Sequence, residues 1–125
     1  MLKVYFKANC ATCQTALKLI RDTTKEKFEK TEYLVDVPTE EEIKGILKML
    51  GISAEQLVRK KEPVYKENFQ GKAFTEDEWV KILHQNPILI ERPILVLNDK
   101  AIIGRPMETI VEFVKPKKKK ISKKS

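Results

Sequence analysis

The sequence predicts an α/β fold in which a mixed sheet is split into two halves by an inserted run of helices. Three observations carry that prediction. Apolar residues repeat every second position at the N-terminus and then switch to a helical spacing. The middle of the chain carries three capping-box sequences, each a signal for the start of a helix. Two short apolar runs near the end are joined by Asn98-Asp-Lys100 and followed by one more helical pattern. The resulting order is β-α-β, then helices, then β-β-α.

Each element has a local reason. Leu2, Val4 and Phe6 alternate with Lys3, Tyr5 and Lys7, the period of a strand. Cys13, Ala16, Leu17 and Ile20 then follow i, i+3, i+4, i+7, one face of a helix over about Gln14 to Arg21, with Asn9 or Cys10 near its cap. Thr31 to Val35 reads as a second short strand. Thr39 and Glu42 form a capping box ahead of Ile43, Ile46, Leu47 and Leu50, and Gly51 is a helix stop. Ser53 with Gln56 and Thr75 with Glu78 repeat the capping pattern. The helix after Thr75 presents Trp79, Ile82 and Leu83 and is expected to end before Asn86-Pro87, because proline disfavours helix at the residue before it. Pro93 to Leu97 and Ala101 to Ile103 read as a β-hairpin covered on both faces. Pro106 opens a last helix with Met107, Ile110, Val111 and Val114 on its apolar side.

Composition bounds the rest. The 125 residues are 42% hydrophobic and 34% charged, a balance that supports one folded domain with an ordinary core. The net charge of +7 is misleading, because seven of the 25 basic residues are lysines between positions 115 and 125, where there are no acids. The other 18 match the 18 acidic residues, so the body is formally neutral and its net charge gives no argument for nucleic-acid binding. The expected organisation is a domain over 1–114, with the helical insertion at about 39–86, and a disordered basic tail over 115–125 able to touch polyanions. No apolar run approaches the ~20 residues of a membrane span, and no n-region and h-region open the chain. The expectation is a cytoplasmic protein without membrane contact.

Cys10-Ala-Thr-Cys13 holds the only two cysteines, at the junction of the first strand and first helix. A helix N-terminus favours a thiolate, which makes Cys10 the candidate nucleophile. Cys13 lies one turn further on the apolar stripe, placed to act as a resolving thiol. A disulfide between them would close too small a loop to staple the fold, so the pair suits redox turnover in a reducing compartment. Two cysteines are half a zinc site, and His84 is the single histidine, so no metal is expected. With Cys-x-x-Cys after the first strand and Pro93 opening the third, the element order matches a thioredoxin layout. In that setting Arg92-Pro93 is a candidate cis peptide. Arg59, Arg92 and Arg105 stand at element ends, and guanidinium groups grip oxyanions in two-pronged fashion.

Glu91-Arg-Pro-Ile-Leu-Val96, Ile103-Gly-Arg-Pro-Met-Glu108, Leu57-Val-Arg-Lys-Lys-Glu-Pro-Val-Tyr65 and Asn86-Pro-Ile-Leu-Ile90 together resemble the arsenate reductase family of the glutaredoxin-coupled type (ArsC/Spx-like). The resemblance spans about residues 1–114. It implies a thioredoxin-like fold with an inserted helical segment. It also implies that Cys10 is the catalytic cysteine and that Arg59, Arg92 and Arg105 bind the oxyanion. The implied chemistry is attack of the thiolate on arsenate, with arsenite released through glutathione and glutaredoxin; thioredoxin is the other candidate thiol donor. No bound cofactor is implied. Where those enzymes carry a histidine four residues before the cysteine stands Phe6, and where they carry an arginine four residues after it stands Gln14. Cys13 is shared instead with Spx-type regulators, which use Cys-x-x-Cys as a redox switch and bind RNA polymerase. Their segment after the hairpin does not usually read Gly-Arg-Pro-x-Glu. Two readings follow: a thiol-dependent oxidoreductase acting on a small anionic substrate, and a redox-sensing partner of the polymerase.

Overall fold

Four strands form one mixed sheet in a computed structural model that describes residues 2–24, 27–104 and 107–114. Strand β1 (Leu2–Phe6) and strand β2 (Phe28–Glu32) run parallel, joined through helix α1 (Ala11–Thr23). Strand β3 (Ile94–Leu97) pairs antiparallel with the other edge of β1, and strand β4 (Lys100–Ile103) follows it as a hairpin. The spatial order is β2-β1-β3-β4. The hairpin turn places Asn98 at φ 59°, the left-handed region that asparagine tolerates better than most residues.

The helical segment between β2 and β3 holds α2 (Glu40–Leu50), α3 (Pro63–Asn68) and α4 (Glu76–Gln85), with 3₁₀ turns at Glu55–Leu57 and Pro87–Leu89. Thr39 and Thr75 both make complete capping boxes with Glu42 and Glu78, and Gly51 ends α2 at φ 71°. Helix α5 (Met107–Val114) closes the described chain. This is the thioredoxin-like α/β arrangement expected from the element order.

The sheet separates two apolar cores. On one face Leu2, Val4 and Leu95 pack with Ala16, Leu17 and Ile20 of α1 and Ile110 and Val114 of α5. On the other, Tyr5 and Ile94 pack beneath Ile43, Ile46, Leu47, Trp79 and Leu83 of the helical segment. Burying both faces explains the near-continuous apolar runs of the hairpin. Among the described residues, no helix is long and apolar enough to cross a membrane.

Two local expectations are corrected. The second strand lies at Phe28–Glu32, ahead of the expected Thr31–Val35. Beyond Glu32 the chain turns, with Val35 and Asp36 N–H groups donating to the Glu32 carbonyl, both at 2.9 Å. Tyr33 then enters the core while Val35 is left exposed. The Ser53–Gln56 pair does bond reciprocally, but it heads a single 3₁₀ turn rather than a full helix.

Candidate functional site

The register of the sheet assembles the site. Tyr5 near the end of β1 faces Ile94 at the start of β3, so the loop after β1 and the loop before β3 meet at one end of the sheet. The first loop delivers Cys10 and the second delivers Arg92.

Cys10 is the N-cap of α1 in extended conformation (φ −116°, ψ 116°), and its carbonyl accepts the Gln14 N–H at 3.0 Å. Its thiol is half-buried. Burial opposes ionisation there. The Cys13 backbone N–H, the Arg92 guanidinium and the Cys13 thiol outweigh it and bring Cys10 down to about 7. Cys13 is fully buried on the apolar face of α1. Burial pushes it up to about 11, against the Lys7 N–H, which donates to Cys13 Sγ at 3.5 Å; neighbouring Cys10 adds to the rise. One sulfur is therefore poised as a thiolate and its neighbour is held as a thiol. Gln14, where the resemblance would place a charge, donates through Nε2 to the Ala8 carbonyl at 3.0 Å and ties down the loop that carries Cys10. Phe6 packs at the edge of the core beneath α1 and α5.

Arg92 is only 6% exposed, an unusual depth for a guanidinium unless it is well partnered. Its Nη1 donates to Tyr33 Oη at 3.4 Å, and its Nη2 lies 3.8 Å from Glu62 Oε2. Tyr33 in turn donates to the Ile90 carbonyl at 3.1 Å. Burial pushes the phenol up to about 12, with Arg92 acting in the opposite sense, so the hydroxyl stays protonated. The Arg92–Pro93 peptide is cis, and the Pro93 carbonyl accepts the Gly104 N–H at 2.8 Å.

Arg59 arrives from the helical segment. Its backbone N–H donates to Leu89 O at 2.7 Å and the Glu91 N–H donates to Leu57 O at 2.9 Å, around a bridge between Val58 and Ile90. Its Nε donates to Glu62 Oε2 at 3.1 Å and its Nη1 to Glu91 Oε1 at 3.4 Å. One oxygen of Glu62 thus faces both guanidinium groups. Beside Arg59 an open cavity of about 570 Å³ is lined by Glu55, Gln56, Val58, Lys60, Lys61 and Glu91 as well. Cys10 does not line it.

Cys10, Cys13, Arg59 and Arg92 thus gather at one end of the sheet. Arg105 and the lysine tail lie outside the described residues. His84 is elsewhere, its Nδ1 2.8 Å from the Pro38 carbonyl, where it fastens α4 to the loop before α2. Sequence reasoning missed Glu62 and Tyr33. Glu62 had a faint signal, standing three residues after Arg59 and just before a proline; Tyr33 had none.

Comparison with known proteins places the fold in a family. The model of the ArsC family matches residues 5–113. The uncharacterised protein YfgD of Escherichia coli K12 is 36% identical over 115 residues, covering 90% of this chain and 96% of that protein. An arsenate reductase of Neisseria meningitidis serogroup A is 32% identical over 111 residues, covering 87% of this chain and 94% of its own. The solved structure of an arsenate reductase from Vibrio cholerae superposes with a TM-score of 0.82 at 31% identity, covering 89% of this chain and 95% of that one. A cysteine-bearing helix start, a buried arginine before the third strand and a match over nearly the whole described fold lead to one conclusion: the chain belongs to the ArsC family.

Proposed function

We propose that this protein is a thiol-dependent oxidoreductase of the arsenate reductase kind, with Cys10 as nucleophile and Cys13 as resolving thiol. The observation that carries the reading is the low-pKa Cys10 at the start of α1 beside the buried Arg92. The Cys10 thiolate attacks the pentavalent arsenic of arsenate, forming an S–As bond as an arsenate hydroxyl, protonated from solvent, leaves as water. Cys13 then attacks Cys10 Sγ, losing its proton as the S–As bond breaks. The two sulfurs supply the electron pair that reduces arsenic to the trivalent state, and arsenite departs. Glutathione with glutaredoxin, or thioredoxin, returns the disulfide to two thiols. Arg59, Arg92 and Arg105 hold the oxyanion, or a glutathione carboxylate when the substrate is a mixed disulfide.

The catalytic unit is the domain over residues 1–114, and a reducing cytoplasm suits its free thiols. The lysine tail adds salt-sensitive affinity for polyanions that disappears on truncation after Val114. The test is turnover of arsenate and of a glutathione mixed disulfide, coupled in turn to glutaredoxin and to thioredoxin, beside Cys10→Ser and Cys13→Ser variants. The reading requires turnover that Cys10→Ser abolishes with at least one substrate. Absence of Cys10-dependent turnover on both overturns it.

A second reading has a specific basis in the uncharged Phe6 and Gln14 flanking a Cys-x-x-Cys pair. In it the cysteines form a redox switch that governs binding to RNA polymerase. Retention of polymerase on the immobilised protein in one redox state only would support this, and retention in neither state would exclude it.

A further inference from the structure

Two guanidinium groups from distant parts of the chain converge on a single carboxylate oxygen, Glu62 Oε2, at 3.1 Å from Arg59 Nε and 3.8 Å from Arg92 Nη2. Glu62 is 17% exposed, and a carboxylate at that depth is tolerable only when paired. Pro63 at the first position of α3 fixes the backbone that carries it, with Glu62 extended at φ −70°, ψ 139°. Glu91 Oε1 takes another Arg59 donor at 3.4 Å. The two positive charges are thus already faced by two negative ones.

We infer that Glu62 is an internal stand-in for the bound oxyanion: it holds Arg59 and Arg92 at the spacing an oxyanion needs, and an incoming anion must displace it. The inference rests on the oxyanion-binding reading proposed above. It adds a selectivity rule. A singly charged anion offers the guanidinium groups no more than Glu62 already does. A tetrahedral dianion brings more charge and more acceptor oxygens, so it wins the exchange. Glu62 is a positioning and specificity residue, acting through the arginines. The groups that share this environment are Arg59, Glu91 and the Tyr33 hydroxyl around the arginines, with Cys10 and Cys13 across Arg92.

The test uses sulfate, a tetrahedral dianion that thiols do not reduce, on the reduced full-length protein. Its binding is measured by titration calorimetry and by protection of Cys10 from iodoacetamide, a neutral reagent. Glu62→Gln keeps the shape and removes the charge, and its sulfate affinity is expected to rise about two- to fivefold, the range of one partly screened ion pair. The pH midpoint of Cys10 alkylation is expected to fall, because Arg92 loses a counter-charge. A merely structural role for Glu62 moves both readouts the other way, with looser arginines, weaker sulfate binding and a higher midpoint. Glu91→Gln, at the more exposed carboxylate, serves if Glu62→Gln does not fold, and is expected to give a smaller gain in the same direction. Unchanged or weaker sulfate binding in the folded variants overturns the inference. If Cys10-dependent turnover persists in that case, the inference alone falls. If turnover is absent and sulfate binds none of the proteins, the oxyanion reading falls with it.

Discussion

Tyr33 and Arg92 stand 59 positions apart in the chain, yet the phenolic oxygen of one accepts from Nη1 of the other at 3.4 Å inside the core. The same hydroxyl donates to the Ile90 carbonyl at 3.1 Å, so Tyr33 locks the guanidinium to the backbone two residues before it. A residue with no reactive role thereby sets the position of the cation beside Cys10.

Tyr33→Phe removes that lock while keeping the ring. The Ile90 carbonyl loses a donor and Arg92 loses an acceptor, which is expected to cost about 1–3 kcal/mol in urea unfolding. The alkylation midpoint of Cys10 is expected to rise as Arg92 becomes less well held. An unchanged midpoint in a folded Tyr33→Phe protein would show that Tyr33 serves stability alone.

The two cysteines give opposite pH dependences. Cys10 is depressed from 9.0 to about 7, so the folded protein releases its proton before the unfolded chain does. Its contribution to stability is present above pH 9 and is lost as pH falls through about 7. Cys13 is raised from 9.0 to about 11, so its contribution is present below pH 9 and is lost as pH rises through about 11. Reduced protein is therefore expected to gain stability from pH 7 to 9, and Cys10→Ser to lack that gain. Iodoacetamide is expected to label Cys10 half-maximally near pH 7 and to leave Cys13 unmodified at that pH.

Gly104 lies at a close approach between the end of β4 and α5. A Cβ built there would meet Ile110 Cδ1 at 2.9 Å and Pro93 Cγ at 3.1 Å. Gly104→Ala is expected to destabilise the fold by about 1–3 kcal/mol, the usual cost of overfilling a core. Because Pro93 adjoins Arg92, the variant is also expected to move the Cys10 alkylation midpoint. Equal unfolding midpoints for Gly104→Ala and the parent protein would contradict this packing account.

The capping boxes offer a cleaner measurement. Thr39 accepts the Glu42 N–H at 3.1 Å and Thr75 the Glu78 N–H at 3.2 Å. Thr39→Ala and Thr75→Ala are each expected to cost about 1 kcal/mol of unfolding free energy without altering Cys10 reactivity.

What was legible in the sequence depended on range. The capping boxes, the apolar stripe of α1 and the Asn98 turn are local, and each was readable from residues within a few positions. The position of β2 is hard to read because Phe28–Glu32 is an edge strand with two of its five residues exposed, so it lacks apolar alternation. The apolar run just after it belongs to a turn that sends Tyr33 inward. Cys10, Arg59 and Arg92 stood out because their chemistry is uncommon at such positions. Glu62 and Tyr33 did not, because their value comes only from the partners that folding brings to them.

The Arg92 guanidinium also sets an order of events during synthesis. The ribosome releases both cysteines long before residue 92. Until β3 pairs with β1, Cys10 lacks the guanidinium, and it remains closer to an ordinary, less reactive thiol. The final acidity of Cys10 is thus acquired only when the C-terminal half docks, so an incomplete chain does not carry a fully activated sulfur.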